Sequence, residues 1–217
     1  MPFRQFAVLA ASVLALAACG PADAGDAASL RTPVAADYGF KDLVREPGTP
    51  RLGAANADVT IIMYADYNCG YCKRMEPVLA NALKADARLA VIHKEWPIFG
   101  DVSEHAARIA LAANYQGRYE AVHRAFMLSP TRLSDKPTVE AVAKQTGVDW
   151  PRLTRDLKTH GPAIDAVLER NEREAMLLGL QGTPGLVINS YLLPGALTDD
   201  QLKALVQKIR AAQKPAA

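Results

Sequence analysis

The sequence predicts an α/β domain with a long helical subdomain inserted in its middle. Three strand-like runs carry this reading: Val59 to Tyr64, Leu89 to Glu95 and Gly185 to Asn189. Everything between the second and third, about 101–180, has helical character. Strands separated by helices imply a layered α/β core, and one long helical interruption implies a subdomain.

Each element has its own signature. Val59-Thr60-Ile61-Ile62-Met63-Tyr64 is β-branched and apolar on both faces, as a central strand buried on both sides should be. Met75, Val78, Leu79 and Leu83 then recur at helical spacing, with Pro77 expected to kink that helix. Leu89 to Glu95 reads as a strand turning polar at its end. In the insert, Ser103 to Ala113 is Ala-rich, Arg118 to Met127 follows, and a helix restarts at Thr138 after Pro137. Asp149 before Trp150-Pro151 reads as an N-cap with proline in the first turn. The longest helix, about Pro162 to Leu180, sets Ile164, Val167, Leu168, Ala175 and Leu178 on one face, while Glu169, Arg170, Glu172, Arg173 and Glu174 suit a solvated one. Strand character returns at Gly185 and around Tyr191 to Leu193. Thr198 with Gln201 three residues on forms a capping box for a last helix, which buries Leu202, Leu205, Val206 and Ile209.

With 217 residues and half of them hydrophobic, the chain is long enough for one core with an inserted subdomain. A formal net charge of only +2 gives no electrostatic reason to expect nucleic acid or an anionic membrane surface as partner. Residues 1–18 carry Arg4 and then an unbroken apolar or small run, too short to span a bilayer comfortably, and read as an export signal. The run ends in Leu16-Ala17-Ala18-Cys19, which resembles a bacterial lipobox and implies a lipidated Cys19. Ordinary cleavage near Ala17 or Ala18 is the alternative. Gly20 to Ala35, rich in Ala, Asp, Gly and Pro, reads as a tether. Asp37 to Leu52, broken by Pro47, Gly48 and Pro50, reads as an irregular lead-in to a domain over 53–213. The expected location is the periplasm, with a lipid anchor in the inner or the outer membrane.

Of three cysteines, Cys19 is taken by the lipid, which leaves Cys69 and Cys72 as a close pair in an oxidising compartment. Cys69-Gly70-Tyr71-Cys72 follows a buried strand and opens a helix. Cys69 therefore meets unpaired backbone N–H groups and the positive end of the dipole, which stabilise a thiolate. Lys73 and Arg74 add positive potential. Two intervening residues let the second sulfur reach the first, and the chemistry is exchange through a mixed disulfide. Half of a zinc site or a structural disulfide are the other readings of a lone C-x-x-C. Zinc needs further ligands, however, and His93, His105, His123 and His160 show no paired spacing, so they read as surface or subdomain residues and no metal is expected. Gly182-Thr183-Pro184-Gly185 stands directly before the last buried strand. Proline there is awkward unless it lies in a tight turn, for which a cis bond is one solution and a plain strand-entry turn another.

Taken together, Asp66 to Lys73, Pro77, the helical insert and Thr183-Pro184 resemble the DsbA-like branch of the thioredoxin superfamily over about Val59 to Ile209. That resemblance implies a thioredoxin-like fold with the insert between the second and third core strands. It implies Cys69 as nucleophile, Cys72 as resolving thiol and Thr183-Pro184 as a cis-proline loop that holds substrate backbone. Gly70 and Tyr71 between the cysteines, and Thr before the proline, resemble isomerases of the DsbC type and ScsC-like proteins more than DsbA itself. Many relatives carry a buried Glu six residues before the first Cys. This chain has Met63 there, which leaves Asp66, Glu95 or water to move protons. Both carboxylates are expected as exposed strand-end groups.

The leading expectation is a disulfide oxidoreductase acting on exported proteins that bear cysteines, with no cofactor beyond the Cys69–Cys72 pair. Isomerase or reductase activity is the runner-up. A DsbB-like or a DsbD-like membrane protein would be its redox partner, and the short N-terminal extension points to a monomer. A thiol-based copper-binding lipoprotein is the reading from a different class.

Overall fold

The computed structural model describes residues 31–33 and 39–213. The expected signal segment, the lipidated Cys19 and most of the expected tether lie outside the described residues.

A six-stranded sheet runs in the order β1-β6-β5-β3-β4-β2. Its strands are β1 (Arg31–Pro33), β2 (Arg51–Gly53), β3 (Val59–Ala65), β4 (Leu89–Glu95), β5 (Gly185–Ile188) and β6 (Tyr191–Pro194). The helices are α1 (Phe40–Leu43), α2 (Gly70–Ala85), α3 (Asp101–Asn114), α4 (Tyr119–Met127), α5 (Lys136–Lys144), α6 (Trp150–Thr159), α7 (Gly161–Leu177) and α8 (Asp199–Gln213). Helices α3 to α7 form the insert between β4 and β5, where the sequence places it.

β3 lies between β4, parallel to it, and β5, antiparallel to it. Every residue of β3 and β4 is buried, which explains β3's lack of alternation. Residues 59, 61 and 63 of β3 and 89 and 91 of β4 face a core shared with α2, α8 and the insert. Ile62, Tyr64 and Ile92 face a second, smaller core closed by Leu43, Ala175 and Leu180.

The N-terminal lead-in is more regular than expected. Arg31–Pro33 adds to β6 as an edge strand, and Arg51–Gly53 pairs antiparallel with β4 at the opposite edge. Three-residue edge strands are too short to leave a periodic signal, and pairing with a preformed sheet is what orders them. Gly53 ends β2 at φ +85°, with Leu89 O only 2.4 Å from where a Cβ would stand. Only glycine lets the backbone approach β4 so closely there.

Local signals fixed several boundaries correctly. Asp149 caps α6 by accepting from Arg152 N at 3.0 Å. The capping box of α8 closes reciprocally, Thr198 N to Gln201 Oε1 at 2.9 Å and Gln201 N to Thr198 Oγ1 at 3.2 Å. Helix α5 starts earlier than expected, at Lys136, because Asp135 supplies the N-cap and Pro137 sits in the first turn, where its missing N–H costs nothing. Pro77 is held inside one continuous α2, and its ring leaves the carbonyl of Lys73 without the usual helical donor.

Candidate active site

Residues Asp66 to Cys72 join the C-terminal end of β3 to the start of α2. Cys69 is the N-cap of that helix, with extended backbone at φ −82° and ψ 116°. Its sulfur accepts from Cys72 N at 3.4 Å and faces the carbonyl of Thr183 at 3.2 Å. The Thr183–Pro184 peptide bond is cis. Two segments more than a hundred residues apart in the chain therefore meet at one sulfur, because β3 and β5 are neighbours in the sheet.

The two thiols are free and electrostatically unlike. The interaction with Cys72 brings the Cys69 thiol down from 9.0 to about 5, against an opposing effect of burial and with further help from Thr183 and the N–H groups of Cys72 and Tyr71. Burial, and then the neighbouring Cys69, push the Cys72 thiol far above its ordinary range. Cys69 is 4% exposed and Cys72 fully enclosed. One sulfur is thus a reachable thiolate near neutral pH and the other a protonated thiol.

Asp66 and Glu95, expected as exposed strand-end groups, are buried at 1% and 2% exposure. The strands do end there, but the insert folds back over their ends. Asp66 accepts from Asn68 N at 2.7 Å, Phe99 N at 3.0 Å and Ser103 Oγ at 2.7 Å, so it ties the loop before Cys69 to the start of α3. Asn68 continues the clamp by accepting from Leu133 N at 3.0 Å. Lys73 bonds the carbonyls of Phe126 and Ser129 at 3.0 and 3.2 Å, while Arg74 stacks on the exposed ring of Tyr71, 4.1 Å from its centroid. Gly70, the first residue of α2, is exposed beside Tyr71.

The histidines divide. His105 and His160 are partly exposed in the insert, as expected, and His160 stacks on Tyr115. His93 and His123 are in the core, at 2% and 1% exposure. His93 stands opposite Met63 in the β3–β4 register, and its ring packs against that of His123 at 4.0 Å. Glu76 joins them, so that one ligand atom from each of Glu76, His93 and His123 lies within 4.8 Å of the others, a cluster that sequence spacing did not reveal. Both ring nitrogens of His123 are engaged within the protein: Nε2 faces Glu76 Oε2 at 3.1 Å, and Nδ1 faces the hydroxyls of Tyr67 and Tyr119 at 2.9 and 3.1 Å. Those two hydroxyls also donate to Glu95 Oε1, at 2.7 and 2.6 Å. Burial raises Glu95 above the usual carboxylate range and holds His93 well below the usual imidazole range.

A helical reading does hold signals for the missed residues. Glu76 lies with Cys72, Met75 and Leu79 at i, i+3, i+4 and i+7. His123 does the same with Tyr119, Val122 and Phe126. A titratable group on an apolar stripe is a buried-polar signal.

With this geometry in place, the family follows. Residues 60–207 match the model of the DSBA-like thioredoxin domain. A thioredoxin-like oxidoreductase from Silicibacter pomeroyi is 36% identical and superposes with a TM-score of 0.74, over 81% of this chain and 97% of that one. The catalytic domain of Proteus mirabilis ScsC is 32% identical, TM-score 0.70, over 78% of this chain and 93% of that one. The thiol-disulfide exchange protein alpha-DsbA2 from Wolbachia pipientis is 26% identical, TM-score 0.72, over 80% and 92%. The chain belongs to the DsbA-like thioredoxin family, a class of thiol–disulfide oxidoreductases. Among curated proteins it matches a Na(+)/H(+) antiporter NhaA 1 from Salinispora arenicola at 26% identity over 157 residues. The chain spans about a quarter of the length of the curated relatives it matches, 24% and 25%.

Proposed function

We propose that this protein exchanges disulfides with cysteines of exported proteins through Cys69 and Cys72. The observation that carries the reading is the contrast between the two sulfurs: a thiolate at a helix N-terminus with a thiol pKa of about 5, against an enclosed thiol held protonated. A thiol at about 5 is roughly 99% ionised at pH 7, so Cys69 is both the better nucleophile and the better leaving group. Substrate thiolate attacks Cys69 of the oxidised pair, Cys72 departs, and a second substrate thiolate then displaces Cys69. The Thr183-Pro184 loop, seated against Cys69, holds the substrate backbone, and the exposed Tyr71 with Arg74 stacked on it flanks the entry.

Stabilising the reduced form makes a pair oxidising, so disulfide donation is the direction we propose. Gly70-Tyr71 and Thr183 keep isomerase or reductase activity as the second reading. Similarity to a periplasmic thioredoxin-like protein from Salmonella enterica, 30% identical over 78% of this chain, supports a periplasmic setting. Among the described residues no helix is long and apolar enough to cross a membrane, and anchoring would come from lipidated Cys19. A DsbB-like membrane protein would reoxidise the pair, the redox disulfide is its own cofactor, and the protein acts as a monomer.

The test is trapping. Cys72→Ser should accumulate exported proteins as mixed disulfides on Cys69, and Cys69→Ser should show neither trapping nor exchange. Full exchange by the Cys69→Ser protein would overturn the assignment.

A further inference from the structure

The proposed function leaves one requirement unmet. When the Cys69–Cys72 bond opens, Cys72 leaves as a thiolate in an enclosed site that disfavours charge, and it needs a proton at once. Met63, facing His93 across the β3–β4 register, cannot supply one. Asp66 is committed to three donors.

The buried cluster beneath α2 can. Glu76 lies four residues past Cys72 on the same buried face of α2, a spacing that puts side chains about 5–6 Å apart at their Cβ atoms. The hydroxyls of Tyr67 and Tyr119 both reach Glu95 Oε1, and each has a single hydrogen to give. If both give it to Glu95, His123 Nδ1 must itself carry a hydrogen toward the tyrosine oxygens. The 3.1 Å contact between His123 Nε2 and Glu76 Oε2 then holds a proton that sits on either atom, as imidazolium with carboxylate or imidazole with carboxylic acid. Around this pair stand His93 and Glu95 from β4, Tyr119 from α4, Tyr67 from the loop before Cys69, and Met63 from β3. Of the six polar groups, Glu76 keeps the most exposure, 5%.

We propose that the His123–Glu76 pair is the proton relay of the resolving cysteine, with His123 as a positioning residue that acts through Glu76. This rests on the exchange reading above. A substrate thiolate bonds to Cys69 Sγ, the Sγ–Sγ bond breaks, and Cys72 Sγ leaves with the electron pair. Cys72 then takes the proton held between Oε2 and Nε2, and the pair is reprotonated from water through Glu76. The second substrate thiolate forms the substrate disulfide and expels Cys69 as a thiolate, which needs no proton. The substrate loses two electrons and the enzyme disulfide gains them. In reverse, the pair first releases its proton to water through Glu76 and then accepts the one that Cys72 must lose before it attacks the mixed disulfide.

A relay speeds both directions alike and leaves the equilibrium alone. The test is exchange between the full-length protein and glutathione, with forward and reverse rates measured from pH 5 to pH 9 for wild type, His123→Gln and Glu76→Gln. The relay predicts at least a tenfold loss in both directions, an unchanged equilibrium constant, and accumulation of the glutathione mixed disulfide on Cys69. It also predicts that an ionisation beyond that of Cys69 disappears from the variants' pH profiles. Glu76→Gln keeps the side-chain shape and serves if His123→Gln does not fold. Wild-type rates in a folded variant, or slowing matched by a shifted equilibrium, would overturn the relay. Wild-type protein that does not exchange at all would instead overturn the function on which it rests.

Discussion

The backbone N–H of Cys72 reaches the sulfur of Cys69 at 3.4 Å, so the resolving residue itself helps to hold the nucleophile as a thiolate. This gives the first prediction. With the reduced protein, iodoacetamide should label Cys69 with a pH midpoint near 5, while Cys72 stays unlabelled until the chain is unfolded. A midpoint close to the ordinary 9.0 would remove the electrostatic basis of the site.

Stability should follow the same ionisation. Because folding depresses the Cys69 pKa, its contribution to the reduced protein is absent below about 5, builds as pH rises from there, and is complete above 9.0. The slope is at most about 1.4 kcal/mol per pH unit. Cys72, shifted upward, stays protonated through this window and adds no slope. Urea unfolding of reduced and oxidised protein at pH 5, 6, 7 and 8 should show the reduced form gaining on the oxidised form at each step. A constant difference would contradict the shift.

Asp66 is predicted to order the loop rather than to exchange protons. Asp66→Ala leaves the N–H groups of Asn68 and Phe99 without their acceptor and should cost about 2 kcal/mol or more. Asp66→Asn retains an acceptor oxygen for Asn68 and Ser103 and should cost less. Thermal melts of the two variants decide this, and equal losses would argue against the clamp.

On the opposite face of the sheet, Lys94 is fully buried and meets Glu174 Oε2 at 2.7 Å, with the Tyr64 hydroxyl on the same oxygen at 2.8 Å. Either Lys94→Met or Glu174→Leu alone should destabilise by about 3–5 kcal/mol, because the remaining buried charge loses its hydrogen-bonded ionic partner and keeps a 3.9 Å charge contact, Glu174 with Arg170 or Lys94 with Glu46. The double variant Lys94→Met with Glu174→Leu should recover much of that loss. Denaturant titrations showing additive losses would refute the coupling.

These residues also mark where the sequence was readable. Cys69, Cys72, Thr183, Pro184, the Asp149 cap and the Thr198–Gln201 box are local patterns, each set by a few neighbouring atoms, and the strand and helix order followed from periodicity. The burial of Asp66, His93, Lys94 and Glu95 was not readable, because a strand that turns polar at its end looks like one that emerges into solvent. Whether it does depends on the path of an insert that begins six residues beyond Glu95, at Asp101. The edge strands Arg31–Pro33 and Arg51–Gly53 were missed for a related reason: their order comes from partners far along the chain.

The reduction potential of the Cys69–Cys72 pair is the sharpest test of disulfide donation. Thioredoxin combines a nucleophile pKa of about 7 with a potential of about −270 mV, and DsbA about 3.5 with about −120 mV. A Cys69 pKa of about 5 falls between them. Equilibration against glutathione should therefore give a value above about −200 mV, that of a disulfide donor. A potential near or below −270 mV, or a pair that does not cycle, would contradict the account.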